Sequence, residues 1–392
     1  MNIHENEKCF TLNIHENEKC FTLNIHENKK CLFPIPHENE KSCMTYSAKY
    51  DDAECHCQIF DKLLIIPIDN IGKGEYNYKY HKLIKPIKKT RNTKSAMERG
   101  SNVSNTYHDL QQSHPCFGGH KNNVGRIHLP VSPGCNIACR FCDRVINDVE
   151  ERPGVTSKVI TPTESLEILD KALRLCPEIT VAGIAGPGDT LASDYALKTF
   201  RGVKERFPQL IKCMSTNGLL LEEKAEEVIE IGIDSLTVTV NAVDPEIEAK
   251  LNKYIIYHGK RYDGVEGAEI LIKNQLAGIR KVASAGITIK VNTVLVPDIN
   301  GDHIAKIAKT VKEAGAKIYN IIPLIPQYEL ADQTAPTCSQ IDAARTTASQ
   351  YIDVFRHCQH CRADAVGVPG RSEYGDQIYQ RKLRVRETFS HG

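Results

Sequence analysis

The sequence predicts an α/β protein: a partial (βα)6 barrel preceded by a disordered, repeat-containing extension. Three observations lead there. From about Arg126, six short runs rich in β-branched and apolar residues recur, with helical patterns between most of them. Those helical patterns carry their own start and stop residues. Residues 1–45 instead repeat an 11-residue unit, far shorter than the unit of a stacked solenoid. The 392 residues suffice for an α/β domain of about 200–250 residues plus extensions, and 41% hydrophobic content is enough for a sizeable core.

Composition excludes several classes. A net charge of +1 argues against a general nucleic-acid or membrane-surface role. The apolar runs are far shorter than a membrane span, and the polar N-terminus lacks a signal-peptide apolar region. Fifteen cysteines could form disulfides in a secreted chain. Their clustering as CxxxCxxC and CxxC points instead to metal ligands in a reducing compartment, so a cytoplasmic protein is expected.

Four segments follow in order: 1–45, 46–104, 105–368 and a tail at 369–392. Asn2 to Leu12 reads NIHENEKCFTL, and Asn13 to Leu23 repeats it letter for letter. A degenerate third copy starts at Asn24 and a remnant at His37. Each copy sets a Cys five residues after a His: His4/Cys9, His15/Cys20, His26/Cys31. Such tracts either bind metal or record a tandem duplication with no selected role. Disorder is expected there because the tract has no turn residues to bring ligands together. In the next segment Cys55 and Cys57 form a CxC, and Leu63 to Ile68 reads as a short strand. The basic stretch from Lys79 to Lys94 reads as a solvated linker or a docking arm for an acidic partner.

The barrel strands are expected at Ile127–Val131, Ile179–Ala185, Ile211–Thr216, Ser235–Val240, Ile287–Val294 and Ile318–Leu324. The clearest helix starts at Thr161-Pro162-Thr163-Glu164. Thr161 caps, Pro162 suits the first helical position and Glu164 completes a capping box. Further helices are expected over Glu222–Ile231, Ile270–Ala285 and His303–Ala314, stopped by Gly232, Gly286 and Gly315. Barrels of this kind place their chemistry at the C-terminal ends of the strands.

The loop after the first strand reads Gly134-Cys135-Asn136-Ile137-Ala138-Cys139-Arg140-Phe141-Cys142. A cubane [4Fe–4S] cluster usually takes four thiolates. A tight loop offering only Cys135, Cys139 and Cys142 leaves one iron open to a ligand that is not protein. Structural zinc, the competing reading, prefers two CxxC-like pairs closing a tetrahedron. With Phe141 before the last cysteine, the spacing resembles the signature of the radical SAM superfamily. That resemblance implies an open iron chelating the amino and carboxylate groups of S-adenosylmethionine (SAM), whose C–S bond is broken by an electron from the cluster. It also implies a radical SAM barrel with SAM-binding residues at strand ends. Gly186, Gly188 and Asp189 follow the second strand, Ser215 and Asn217 lie at the end of the third, and Asn241 ends the fourth. An ordinary strand-end turn is the plainer reading of each.

Further cysteines lie outside that loop. Cys116 precedes the barrel, Cys213 lies on the third strand, and Cys358 and Cys361 form a CxxC near the end. His128 lies on the first strand. A lone buried cysteine is more often a small hydrophobe than a ligand, and the CxxC divides between metal and redox use. Cys176 and Cys338 are read as structural.

In order along residues 114–367, the chain carries HPCF, GRIHLPVSPGCNIACRFC, ERPGV, VAGIAGPGDTLA, KCMSTNGL, TVTVNAVDPEI, NIIPLIP and HCQHCRADAVG. These stretches resemble the NifB family, radical SAM proteins of nitrogenase cofactor biosynthesis, in the short form lacking a C-terminal cofactor-carrier domain. The resemblance implies three [4Fe–4S] clusters, one binding SAM and two fused as substrates. A SAM methyl placed on a cluster sulfide becomes the carbide of an [8Fe–9S–C] precursor, with a ninth sulfur added. It implies Cys116, His128 and Cys213 on one substrate cluster, Cys358 and Cys361 on the other, and Glu150 and His128 in catalytic roles. It further implies a cluster donor, a low-potential ferredoxin-like electron donor and a carrier or scaffold for the product, with no nucleic acid and no membrane. The segment after Cys142 departs from the family, which carries a further cysteine where this chain reads Asp143 to Val149 without one. Other radical SAM maturases, or a non-catalytic iron–sulfur store built on the repeats, are the alternatives.

Overall fold

The structure is a computed structural model that describes residues 106–118, 122–143 and 146–381, together with three backbone segments nearer the N-terminus. The chain divides into two compact units, Met1–Asn92 with Glu387–Gly392, and Thr93–Arg386. In the first, β1 (Lys8–His15), β2 (Cys20–Glu27) and β3 (Met44–Ala48) form an antiparallel sheet in the order β2-β1-β3. Each of β1 and β2 spans a junction between successive copies, and they pair with Cys9 opposite His26 and His15 opposite Cys20. Disorder was the expectation for this tract. The Cys55/Cys57 pair, the strand expected at Leu63–Ile68, the basic stretch and residues 382–392 of the tail lie outside the described residues.

The second unit opens with α1 (Tyr107–Ser113), whose Thr106–Asp109 capping box satisfies its first turn. A 3-10 turn, Pro115–Phe117, leads to β4 (Gly125–His128) and the short β5 (Ile137–Cys139). Helices and strands then alternate: α2 (Pro162–Leu175), β6 (Ile179–Ile184), α3 (Tyr195–Arg206), β7 (Ile211–Thr216), α4 (Leu221–Ile231) and β8 (Ser235–Thr239). After α5 (Pro245–Leu251) comes a hairpin, β9 (Asn252–Tyr257) and β10 (Lys260–Asp263), then the long α6 (Gly264–Ser284). The set closes with β11 (Thr288–Leu295), α7 (Pro297–Asn300), α8 (Ile304–Glu313), β12 (Ile318–Pro323), α9 (Cys338–Ser349), β13 (Asp353–Val354), β14 (Val366–Gly367) and α10 (Gly375–Tyr379).

The main sheet has eight strands in the order β13-β12-β11-β8-β7-β6-β4-β14. The six expected strands run parallel through its centre. β13 extends the parallel set beside β12, and β14 lies antiparallel against β4. β4 ends at His128 rather than Val131, because Pro130 has no N–H to continue the ladder. The capping box at Thr161 and Glu164 is present, and Gly232 ends α4 in the left-handed region at φ 77°. The sequence reading did not anticipate the β9–β10 hairpin, and α6 starts six residues before Ile270.

Side chains alternate across each strand. One phase, including Ile127, Ile184, Met214, Val238 and Ile289, packs with Leu169, Phe200, Val228, Ile279 and Val311 of the helices in one continuous core. The opposite phase lines the barrel interior and carries His128, Cys213, Ser215, Thr237 and Lys290. At the N-terminal end of the strands, Leu110 and Phe117 pack with Val181, Ile211, Ile318 and Phe355. Thr180 Oγ1 donates to the Ser113 carbonyl at 2.7 Å, tying this plug to the sheet. Among the described residues no helix is long and apolar enough to cross a membrane.

Candidate active site

The three-cysteine loop follows β4 and is held from three sides. Its β5 segment pairs with β9, Ile137 opposite Ile255 and Cys139 opposite Asn252, and Arg140 N donates to the Leu251 carbonyl at 2.8 Å. On a second side, Gln327 Nε2 donates to the Phe141 carbonyl at 2.9 Å, and Arg140 pairs with Glu329. On the third, the Gly186–Asp189 loop meets Ser132–Gly134: Gly188 N donates to Ser132 O and Asp189 N to Gly134 O, both at 2.8 Å. A side chain at Gly188 would place its Cβ 1.9 Å from the Gly134 carbonyl oxygen, so only glycine allows this approach.

The residues expected to bind SAM divide by what already occupies them. Asp189, 5% exposed, accepts from Thr216 Oγ1, from Asn217 N at 2.6 Å and from Leu191 N. It is a strut joining two strand-end loops. Asn241 Oδ1 accepts from Val294 N at 3.0 Å, bridging β8 to β11. Gly186, at φ 129°, lies against Gly154 and Ala363, where the ERPGV and CRADAVG stretches meet. Ser215 is half-buried on the interior face, and its carbonyl accepts from Thr190. Asn217 reaches the cysteines: its Nδ2 lies 3.6 Å from Cys135 Sγ and 2.7 Å from Asn136 Oδ1.

Lower in the barrel, residues far apart in sequence converge. The thiol of Cys116 lies within electrostatic reach of Cys361, Cys213 and Cys358, and burial pushes it up to about 12. Burial also raises Cys213. His128 lies in register with Cys213 across Gly183 of the intervening strand, its Nδ1 2.8 Å from the Arg362 carbonyl. A carbonyl only accepts, so Nδ1 carries the proton and Nε2 keeps its lone pair. Burial, then the neighbouring Arg126 charge, lowers His128 to about 4, so the ring is neutral. Gly183 makes room for it, with His128 Cδ2 3.1 Å from where a Cβ would sit. Arg126, 4% exposed, donates to Cys361 Sγ at 3.3 Å and pairs with Glu373. Cys213 and Asn217 share one face of β7 and its extension, four residues apart, which is about 13 Å at ~3.3 Å per residue. The two cysteine groups therefore sit along one wall of the barrel.

Glu150 stands apart. Its side chain is 46% exposed and pairs with Arg152 at 2.7 Å. Its carbonyl accepts from Arg362, which also donates to Asn147 O at 2.9 Å and pairs with Asp364 at 2.8 Å. Arg362 thus holds the segment after the cysteine loop onto the CxxC stretch. Cys176 caps α2 in the core and Cys338 is exposed on α9, both away from the convergence.

The donor set suits iron–sulfur chemistry. None of the nine cysteines from Cys116 to Cys361 is in a disulfide, and Cys135, Cys139 and Cys142 share one partly buried loop, with a Cys142 N to Cys139 O turn at 3.1 Å. Among the described residues no three His, Cys, Asp or Glu converge on a single metal ion. A cubane's thiolates bind separate corners, so its ligands need not meet at one point. Sequence reasoning passed over Arg126, Lys290, Arg362 and His114. The available signal for Lys290 was a charge inside a strand whose other residues are apolar or uncharged.

A family model described as the Radical SAM superfamily matches residues 129–311. The chain is 44% identical over 293 residues to the FeMo cofactor biosynthesis protein NifB of Methanocaldococcus infernus, covering 74% of this chain and 95% of that one. It is 43% identical to NifB of Methanocaldococcus jannaschii, covering 74% and 99%. Against NifB of Klebsiella pneumoniae the identity is 38%, over 69% of this chain and 60% of that one. Among solved structures, Streptococcus suis SuiB bound to SAM aligns with a TM-score of 0.43 at 13% identity, covering 64% of this chain and 56% of that one. On the strength of the archaeal relatives, matched over nearly their whole length, the chain belongs to the NifB family of radical SAM enzymes.

Proposed function

We propose that this enzyme takes two [4Fe–4S] clusters as substrate and returns an [8Fe–9S–C] precursor of the nitrogenase cofactor. The observation that carries the reading is the convergence of Cys116, His128, Cys213, Cys358 and Cys361 inside the barrel, on the wall that rises to the three-cysteine loop. Cys135, Cys139 and Cys142 would hold the resident [4Fe–4S] cluster, and Asn217 lies where it can orient SAM. When bound, that cluster and SAM supply a 5′-deoxyadenosyl radical, and SAM also supplies the methyl carbon. The protein's share is to hold, orient and release the cargo. Cys116, Cys213 and His128 serve one substrate cluster, Cys358 and Cys361 the other. Five ligands for two clusters leave irons free to join.

His128 reaches its site already neutral, with Nδ1–H fixed on Arg362 O and Nε2 presented for metal. Imidazole is released more readily than thiolate, which suits a product that must leave. The buried thiols of Cys116 and Cys213 must lose protons as iron binds, so loading is proton-coupled. Glu150 is proposed to carry protons during methyl-to-carbide conversion, which requires its carboxylate to leave Arg152. A cluster donor, a ferredoxin-like electron donor and a product carrier are proposed partners, with no nucleic acid or membrane, in the cytoplasm.

Anaerobic reconstitution is expected to give about 12 iron atoms per chain, as three cubanes. Cys139→Ala is expected to abolish 5′-deoxyadenosine formation. His128→Ala should still cleave SAM but fail to release precursor. Full cofactor maturation by His128→Ala would remove that ligand assignment, and about 4 iron atoms in the wild type would remove the cluster-fusion reading.

A further inference from the structure

Lys290 lies on the interior phase of β11, paired in register with Thr237 and Ile318. It is 6% exposed, and Asp234, the acidic group that also acts on Cys213, is paired with Lys212 at 3.1 Å. Its Nζ stands 5.3 Å from the Phe117 ring centroid and 5.6 Å from that of Phe355, the two aromatic residues of the barrel plug. Its charge reaches Cys116, Cys213, His114 and His128 together. A buried ammonium needs an anionic partner, and two aromatic faces offset only part of its cost.

His114 beside it is an unspent donor. It is 1% exposed. Its Nδ1 accepts from Cys116 N at 3.1 Å, which puts the ring proton on Nε2, and Nε2 has no partner. A buried donor with nothing to donate to, His114 Nε2, therefore sits with the cysteines beside the Lys290 ammonium.

We propose that Lys290, with His114 beside it, is the non-covalent anchor of the iron–sulfur cargo, donating N–H to the cargo's bridging sulfides. This rests on the function proposed above. Sulfides are the negative part of any iron–sulfur core, and a cation facing them holds the core without an iron bond. Such an anchor retains the cargo while its few thiolate and imidazole ligands exchange. It also offsets the negative charge that each added electron brings, so it raises the cargo's reduction potential.

The test uses the full chain with Cys135, Cys139 and Cys142 all changed to Ala, which leaves only cargo iron to count. On that background Lys290, Lys290→Gln and Lys290→Arg are reconstituted anaerobically with iron and sulfide. Iron per chain, the rate of iron loss to a chelator and the cargo midpoint potential are then measured, with circular dichroism of each apo form as the folding check. Lys290→Gln is expected to lose iron at least tenfold faster and to show a lower potential. Lys290→Arg, which keeps charge and donors, is expected to lose iron within twofold of the parental rate and to keep the parental potential. Equal retention and potential in Lys290→Gln would overturn the inference while leaving the cargo reading intact. Equal losses in Lys290→Arg and Lys290→Gln with native apo spectra would overturn it too. No iron uptake by the background with Lys290 intact would overturn the cargo reading, and this inference with it. Should Lys290→Gln not fold, Lys290→Met on the same background takes its place under the same criteria.

Discussion

Single atoms decide two features of this protein. At Gly188 the neighbour of an added Cβ is backbone, 1.9 Å away at Gly134 O, and cannot swing aside. Gly188→Ala is therefore expected to push the cysteine loop off its seat. Iron content should fall by about 4 per chain, with SAM cleavage lost and barrel cysteines still able to take iron. At Glu248 the carboxyl is 2% exposed, its Oε2 has no partner, and burial raises it from 4.5 to about 8. Between those values the folded chain keeps a proton that the unfolded chain has lost. Stability from this group is full below pH 4.5 and falls as the pH rises towards 8. Urea unfolding of the apo protein is expected to show Glu248→Gln gaining on the parent over that range, by up to about 5 kcal/mol at ~1.36 kcal/mol per unit. A constant difference between the two would refute it.

At the scale of elements, the least anticipated one supports the most anticipated motif. The β9–β10 hairpin offers the edge on which β5 pairs. Ile255, fully buried with Ile137, Leu219 and Leu271, is the apolar contact behind that pairing. Ile255→Ala should cost about 2–5 kcal/mol and speed chelation of the iron held by Cys135, Cys139 and Cys142. Cargo iron should leave at the parental rate, because β4, β7 and the CxxC stretch do not pack on Ile255. A chelation time course on each iron population checks this. The hairpin escaped sequence reading because NKYIIYHGKRYD merges with the helical patterns on either side of it. The capping box of α2 was legible because its chemistry is complete within four residues.

At the scale of the molecule, the family match and the ligand-bearing elements all lie within residues 114–381. Removal of residues 1–104 is expected to leave iron loading and SAM cleavage within about twofold of the full chain, because every ligand assigned above lies at or after Cys116. A loss of the cargo iron on truncation would show that the repeats or Cys55 and Cys57 supply ligands, in place of the cysteine missing after Cys142. The barrel as a whole brings one polar interior under one thiol loop, and it does so with six strands whose order follows the chain.

The amino-acid order alone determined the parallel strands, their main helix caps and the three-cysteine loop, since each is written in a short window of period, cap or spacing. It also supplied Cys116, His128, Cys213, Cys358 and Cys361 as candidates. Only the tertiary structure decided that the four cysteines come within electrostatic reach with His128 in register beside Cys213's strand, that Asp189 and Asn241 are bound up as struts, and that Glu150 faces Arg152 at the surface. It alone put Lys290, Arg126 and His114 among the cysteines. The physical reason is register: which residues share the barrel interior depends on how strands far apart in sequence align, and a one-residue shift would turn each side chain to the opposite face.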